Sequence, residues 1–254
     1  VIDTLPVLDH GYVKLLNVAG PTRRIMDNQP GAEDADDIGL VLRPFDADDT
    51  DPANAARMSF GQKDSGRTRE QDLKLCDYLL RNHHTTPFEM VQVWLEMKLP
   101  IFVARQFVRH RTVSINEISG RYVPLPAEWY IPPAEQIKGK AETAKQGRGG
   151  DLASGTIAAF QHALHKDCAA SYYNYEQFLS AGVAPELARL FLHVNHYTTW
   201  LWRQDLHNLF HFLSLRDHPH AQWEAQQYAK AIGQLLRGAL PDLMNLYDKY
   251  RRQS

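Results

Sequence analysis

FEMVQVWLEMKLPIFVARQFVRHR, residues 88–111, changes period partway along. Val91, Val93, Leu95 and Met97 alternate with Gln92, Trp94, Glu96 and Lys98, the two-residue period of a strand with one buried face. Pro100 then opens IFVARQFVRHR, where Ile101, Ala104, Phe107 and Val108 suit one helix face and Arg105 and Arg109, four apart, share the opposite side. Downstream, TVSINEISGRYVPLP (112–126) has no helical period and reads as a loop entering a short extended piece. Upstream, Thr68 caps REQDLKLCDYLLRNH (69–83), where Leu73, Cys76, Leu79 and Leu80 recur at helical spacing.

Farther out, GYVKLLNVAG (11–20) reads as a strand broken by Gly20-Pro21. Residues 27–51 are acidic and rich in Gly, Pro and Asp, and read as loop. Asp51 as N-cap with Pro52 in the first turn opens a short helix to about Met58. Residues 135–155 are small, polar and Gly-rich, the pattern of a mobile surface insert. A long helix is expected over Ser154–Leu179, another after Pro185, a strand over HYTTWLWRQDL (196–206), helices over Asp205–Leu215 and His220–Leu240, and a last short one after Pro241. Helices dominate, and the strands are too scattered for the βαβ alternation of a parallel sheet. The fold expected is α+β, with helices packed around a small, mostly antiparallel sheet in a single domain over 1–254.

The 254 residues carry a net charge of −2, so no average field draws the chain to nucleic acid. The acidic excess is local, with Glu33, Asp34, Asp36, Asp37, Asp46, Asp48, Asp49 and Asp51 facing one Arg43. No apolar run reaches the ~18 residues of a membrane span, and VIDTLPVLDH lacks the basic start and apolar block of a signal peptide. Cys76 and Cys168 form no CxxC. They read as core residues of a protein in a reducing cytoplasm, not as a disulfide or zinc framework.

The chemistry concentrates in RHRTVSINEISGRY (109–122). Arg109, Arg111 and Arg121 are fork-shaped cations suited to phosphate. His110 can hydrogen-bond or titrate, Asn116 and Glu117 add an amide and a carboxylate, Ser119 a hydroxyl, and Gly120 a point where backbone can approach a ligand. Carboxylates nearby are too few to neutralise the cations. By its chemistry alone, the segment binds a phosphorylated, amide-bearing small molecule.

The pattern R-H-R-x-x-S-x-N-E-x-S-x-R-Y resembles the signature of the flavin-dependent thymidylate synthases. Arg109, His110, Arg111, Ser114, Asn116, Glu117, Ser119, Arg121 and Tyr122 match every fixed position, a coincidence on the order of 10⁻¹² per start position. HHTTPFEM (83–90), PIFVARQFVRHR (100–111), ELARLFL (186–192), DLHNLFHFLSLR (205–216) and HAQWEAQQYA (220–229) resemble further family blocks in the family's order. The resemblance implies conversion of dUMP to dTMP, with carbon from methylenetetrahydrofolate and reducing equivalents from NADPH through bound FAD. It also implies a homotetramer whose active sites are shared between chains. Thr86, Arg109, His110, Arg111, Glu117, Asp205, Leu206, His207 and His211 would contact FAD. The nucleotide would be held by Gln106, Phe107, Val108, Arg109, Glu117, Ile118, Ser119, Gly120, Arg121, Arg189 and Arg216. His84 resembles a histidine near the folate and flavin rings. Asp205 and His207 stand where some relatives carry Asn and Arg. Arg216 resembles the family's activating arginine, which stabilises negative charge on the uracil ring.

Two other classes compete on the residues alone. His207 and His211 fall on one helix face, as in zinc sites, but the Glu of H-E-x-x-H is missing. The arginines would also suit a nucleic-acid binder, but the aromatic residues that interleave such surfaces are absent there. No metal, nucleic acid or membrane partner is therefore expected.

Overall fold

The computed structural model describes residues 3–21, 47–61, 67–142 and 147–251. The expected acidic loop lies outside the described residues as far as residue 46, and the Gly-rich insert does so over 143–146. Five strands build one sheet: β1 (Thr4–Val7), β2 (Gly11–Ala19), β3 (Gln92–Pro100), β4 (Ser114–Glu117) and β5 (Tyr197–Asp205). Their order is β1-β2-β3-β5-β4, and every neighbouring pair is antiparallel. The helices are α1 (Asp51–Arg57), α2 (Arg69–Arg81), α3 (Thr86–Glu89), α4 (Ile101–Phe107), α5 (Ser154–Ser180), α6 (Pro185–Ala188), α7 (Leu206–Arg216), α8 (Trp223–Ala239) and α9 (Pro241–Tyr250). The α+β expectation is met.

The alternation read in residues 91–98 is the pleat of β3. Val93, Leu95, Met97 and Leu99 are fully buried, and the residues between them are half-exposed. The strand starts at Gln92, not Phe88, because Pro87 in the first turn of α3 commits residues 86–89 to a helical turn. β1 is absent from the sequence reading: TLPV is short and carries a proline, which only an edge strand accommodates. α1 begins one residue earlier than expected. Thr50 is its N-cap, and the buried Asp51 instead accepts the Asp48 N–H at 2.7 Å. Thr68 caps α2 as expected, in a full capping box: Gln71 N–H donates to Thr68 Oγ1 (3.4 Å) and Thr68 N–H donates to Gln71 Oε1 (3.1 Å). α6 is a single turn followed by a 3₁₀ turn.

α4 also ends early. Val108 N–H closes on the Ala104 carbonyl, and His110 N–H turns back to Phe107 O at 3.0 Å. Arg109 therefore lies beyond the helix and does not share a face with Arg105. What holds this region is aromatic packing. Phe107 of α4, Phe212 of α7 and Trp202 of β5 are fully buried, with ring centroids 4.9 Å apart for Phe107–Phe212 and 5.3 Å for Trp202–Phe212, both edge to face. The α8 residue Tyr228 extends the cluster and donates its hydroxyl to Lys98 O at 2.7 Å. Gly11 permits that approach: a Cβ there would lie 2.1 Å from the Tyr228 oxygen.

Phe212→Ala should destabilise the fold by about 3–5 kcal/mol, whereas Thr68→Ala should cost only about 1 kcal/mol. Urea unfolding of both variants measures the contrast.

Candidate active site

Two groups of the expected residues come together. The first lies between α4 and α7. Arg216, the last residue of α7, donates from Nε to His110 Nε2 at 3.0 Å and from Nη2 to the Gln106 backbone carbonyl at 3.2 Å. Burial is the main influence on His110, with Arg216 and then His211 adding repulsion. Together they hold the imidazole down at about 4. His110 is thus neutral at pH 7, and its Nε2 lone pair can accept from the guanidinium. Burial also lowers the Arg216 pKa. The Gln106 side chain makes a bond of its own: its Nε2 donates to Gln222 Oε1 at 2.6 Å. Gln222 in turn donates to Glu224 Oε2 at 2.9 Å, and the buried Glu224 also accepts from Tyr130 Oη (3.0 Å) and from Arg148 of the Gly-rich insert.

The second group flanks the β4 edge. Glu117 accepts from Thr198 Oγ1 at 2.5 Å, and Ile118 N–H donates to Thr199 O. Ser119 Oγ accepts the Arg121 N–H at 3.3 Å, and Arg121 Nε donates to Glu186 Oε2 at 3.1 Å. Gly120 is buried, and the space its Cβ would fill is occupied by Leu125 and the Arg189 side chain, at 3.2 and 3.4 Å. The close approach expected of this glycine is therefore to the chain's own Arg189, which lies beside Ser119–Arg121. No side-chain hydrogen bond among the described residues joins this group to the first.

Several expected residues take a narrower role. Phe107 and Leu206 are fully buried in the core, so only their backbones can meet a ligand, whereas Val108 is exposed. Asp205 is the N-cap of α7. It accepts the Asn208 N–H (2.9 Å) and Nδ2 (2.8 Å), which fixes its carboxylate toward the helix. His207 is half-buried and its pKa is lowered, burial outweighing the pull of Asp205 and Glu89, while His211 is exposed. Thr86 opens α3, which packs on α7. His84 follows a Schellman turn. His83 adopts φ +58°, and the His83 and His84 N–H groups donate to Leu80 O and Leu79 O, setting His84 edge-on to Tyr78.

The guanidinium groups of Arg105, Arg109, Arg111 and Arg189 are exposed and carry no hydrogen bond or ion pair among the described residues. For Arg109 and Arg111 that matches the sequence expectation of uncompensated cations, whereas Arg121, expected with them, is paired with Glu186. Among those residues, no three of His, Cys, Asp and Glu converge as a metal set around His207 and His211. Cys76 is sealed in the core and burial pushes its thiol up to about 12, while Cys168 is buried with its pKa also raised. A cleft of about 620 Å³ between Leu5–Asp9 and Trp223–Gln234 is also lined by Tyr130, at the far end of the first group, but includes none of the expected site residues. Gln222, Glu224, Tyr130 and Arg148 escaped the sequence reading. Only the order of family blocks placed HAQWEAQQYA near the site, with no role for its polar residues.

The fold and site define an α+β protein with exposed, unpaired guanidinium groups gathered beside a half-buried arginine–histidine pair. A family model described as "Thymidylate synthase complementing protein" matches residues 41–242. The flavin-dependent thymidylate synthase of Thermus thermophilus is 41% identical over 238 residues, covering 94% of this chain and 76% of that protein. That of Gluconobacter oxydans is 37% identical over 248 residues, 96% of this chain and 72% of that one. The chain belongs to the family of flavin-dependent thymidylate synthases. The crystal structure of a UMP/dUMP methylase PolB from Streptomyces cacaoi bound with 5-Br dUMP has a TM-score of 0.77 at 24% identity, covering 98% of this chain and 99% of that one, a likeness of fold. No helix among the described residues is long and apolar enough to cross a membrane.

His110 and the buried His196, which burial also holds down at about 4, are neutral in the folded chain. Unfolded, each protonates near 6.5. Their contribution to stability is complete above that value and is lost as pH falls toward about 4. The urea midpoint should therefore drop between pH 7 and pH 5, and drop less in a His110→Gln, His196→Gln double variant.

Proposed function

We propose that the chain converts dUMP to dTMP, taking carbon from methylenetetrahydrofolate and reducing equivalents from NADPH through FAD. The observation that carries this reading is the fixing of Arg216. Two hydrogen bonds, to a neutral imidazole and to a backbone carbonyl, orient the guanidinium and leave three of its five N–H groups for a ligand. A uracil ring is a weak nucleophile at the carbon to be methylated. A preoriented, half-buried cation at its amide edge stabilises the negative charge that activation develops there. Ser119, whose hydroxyl oxygen accepts the Arg121 N–H and bonds to no His, Asp or Glu side chain among the described residues, serves as a hydrogen-bonding residue for the nucleotide. Arg189, packed against Gly120, suits its phosphate, and Arg121 joins through the N–H groups that its pairing with Glu186 leaves over. Gln106, Val108 and Glu117, with the Phe107 and Ile118 backbones, complete the nucleotide's surroundings.

The residues assigned to FAD fit it. Arg109 and Arg111 are unpaired cations for a pyrophosphate, and the neutral His207 with exposed His211, Thr86 and the Leu206 backbone offers polar and stacking contacts. Asp205 takes part through what its cap leaves free. When bound, FAD supplies the two-electron chemistry that links NADPH to the one-carbon unit, and His84 belongs to the folate side of that site. Both cysteines are buried with raised thiol pKa values, which fits a reaction that needs no thiolate.

We further propose a homotetramer with shared active sites, acting in the cytoplasm. Only Cys168 and Tyr175 are buried among the 27 residues of α5. Around it Phe178 and Phe191 stack at 5.2 Å while remaining 42% and 38% exposed, and Leu190 and Val194 are 77% and 67% exposed. A long helix with so much apolar surface bare fits burial against another copy. Two half-sites with no side-chain bond between them fit completion by a neighbouring chain.

Purified protein should take up FAD, read in its visible spectrum. Arg216→Ala should retain the flavin yet lose about 10²–10³ in turnover, and Arg111→Ala should weaken flavin binding first. Light scattering at concentrations that retain activity should give four times the chain mass, and a monomeric mass there would refute the shared site.

A further inference from the structure

The hydrogen-bond chain from Glu224 to Gln106 has a direction, and the direction is set by charge. Glu224, a carboxylate paired with Arg148, is an acceptor only. It therefore compels Gln222 to present its NH₂, at 2.9 Å, and leaves the Gln222 side-chain oxygen facing away. That oxygen, 2.6 Å from Gln106 Nε2, compels Gln106 to present its NH₂ in turn. Gln106 Oε1 is thereby left without a partner from this relay. An amide can flip at little steric expense, so a lone Gln106 would offer a ligand either end. Anchored to a carboxylate through Gln222, it offers an acceptor.

Two observations indicate that the arrangement is built. Glu224 is only 1% exposed, and Tyr130, Gln222 and Arg148 all donate to it, which makes its burial as a charge tolerable. Gln222 is the N-cap residue of α8 yet makes no side-chain cap bond to the helix. Its amide spans Gln106 and Glu224 instead.

We infer that Gln222 and Glu224 are positioning residues that fix the Gln106 amide with its Oε1 toward the nucleotide, selecting a hydrogen-bond donor of the substrate, either the ring N–H or the 3′-hydroxyl of the deoxyribose. This rests on Gln106 belonging to the dUMP site. Lone-pair direction, not charge or shape, is then what the relay contributes to specificity.

The test is equilibrium binding of dUMP to the FAD-loaded enzyme. Gln222→Met keeps length and removes both relay bonds at an exposed position. It should weaken dUMP binding about five- to tenfold, the net worth of about one hydrogen bond, with flavin content unchanged and the thermal midpoint lowered by the one donor that Glu224 loses. Gln106→Met should weaken it by a similar factor, and the double variant no further, because both remove one interaction. An analogue lacking the selected donor, 3-methyl-dUMP for the ring or 2′,3′-dideoxy-UMP for the sugar, should bind wild type and Gln222→Met alike, and the analogue that does so identifies the donor. Unchanged dUMP affinity in Gln222→Met, additive losses in the double variant, or persistence of the difference with both analogues would overturn the relay while leaving the dUMP reading intact. Wild-type enzyme that takes up FAD but does not bind dUMP would overturn both.

Discussion

The edge-to-face contact of Phe107 with Phe212, backed by Trp202, is the constraint from which the site's geometry follows. Phe107 is the last residue of a seven-residue helix too short to hold its position by propensity. Burying that ring against α7 and the sheet places Gln106 on one side of it and His110 on the other, and both meet the far end of α7 where Arg216 stands. A shift of the ring would move two of the groups that hold the guanidinium at once. The apolar core and the polar site are one construction here, with the aromatic residues setting distances that the hydrogen bonds then use.

How much of this was legible beforehand depended on the range of the interaction. β3 announced itself by alternation, and α2 by its Thr68 cap and the helical spacing of Leu73, Cys76, Leu79 and Leu80. These signals are local, written within a dozen residues. The early end of α4 was not legible, because it depends on Phe107 finding Phe212 more than a hundred positions away, and β1 was hidden by its brevity and Pro6. In the site, the arginines and the Ser119–Arg121 turn were readable as chemistry, and the motif supplied their context. That Phe107 and Leu206 contribute only backbone was invisible, since an apolar residue inside a binding motif looks the same whether it lines the pocket or the core. The carboxylate-to-amide relay from Glu224 spans two elements and the Gly-rich insert, and nothing at the level of spacing connects them.

The placement of titrating groups follows the same logic. Every described histidine that burial drives neutral is in or beside the packed interior, where an imidazolium would need a closer carboxylate than it has. At His110 that neutrality serves the site, since a neutral ring nitrogen is what allows one nitrogenous base to sit 3.0 Å from a guanidinium.

The unpaired guanidinium groups have a consequence for the resting protein. Arg105, Arg109 and Arg111 lie within seven consecutive residues with no carboxylate partner among the described residues, so their like charges weigh against the native state and a bound anion offsets that cost. Occupancy and folding are therefore thermodynamically linked: any anion that binds the native chain at these arginines also deepens the native minimum, by an amount that grows with the logarithm of its concentration. Such a chain is least robust when its ligands are scarce, and its lifetime in a cell becomes a running measure of their supply.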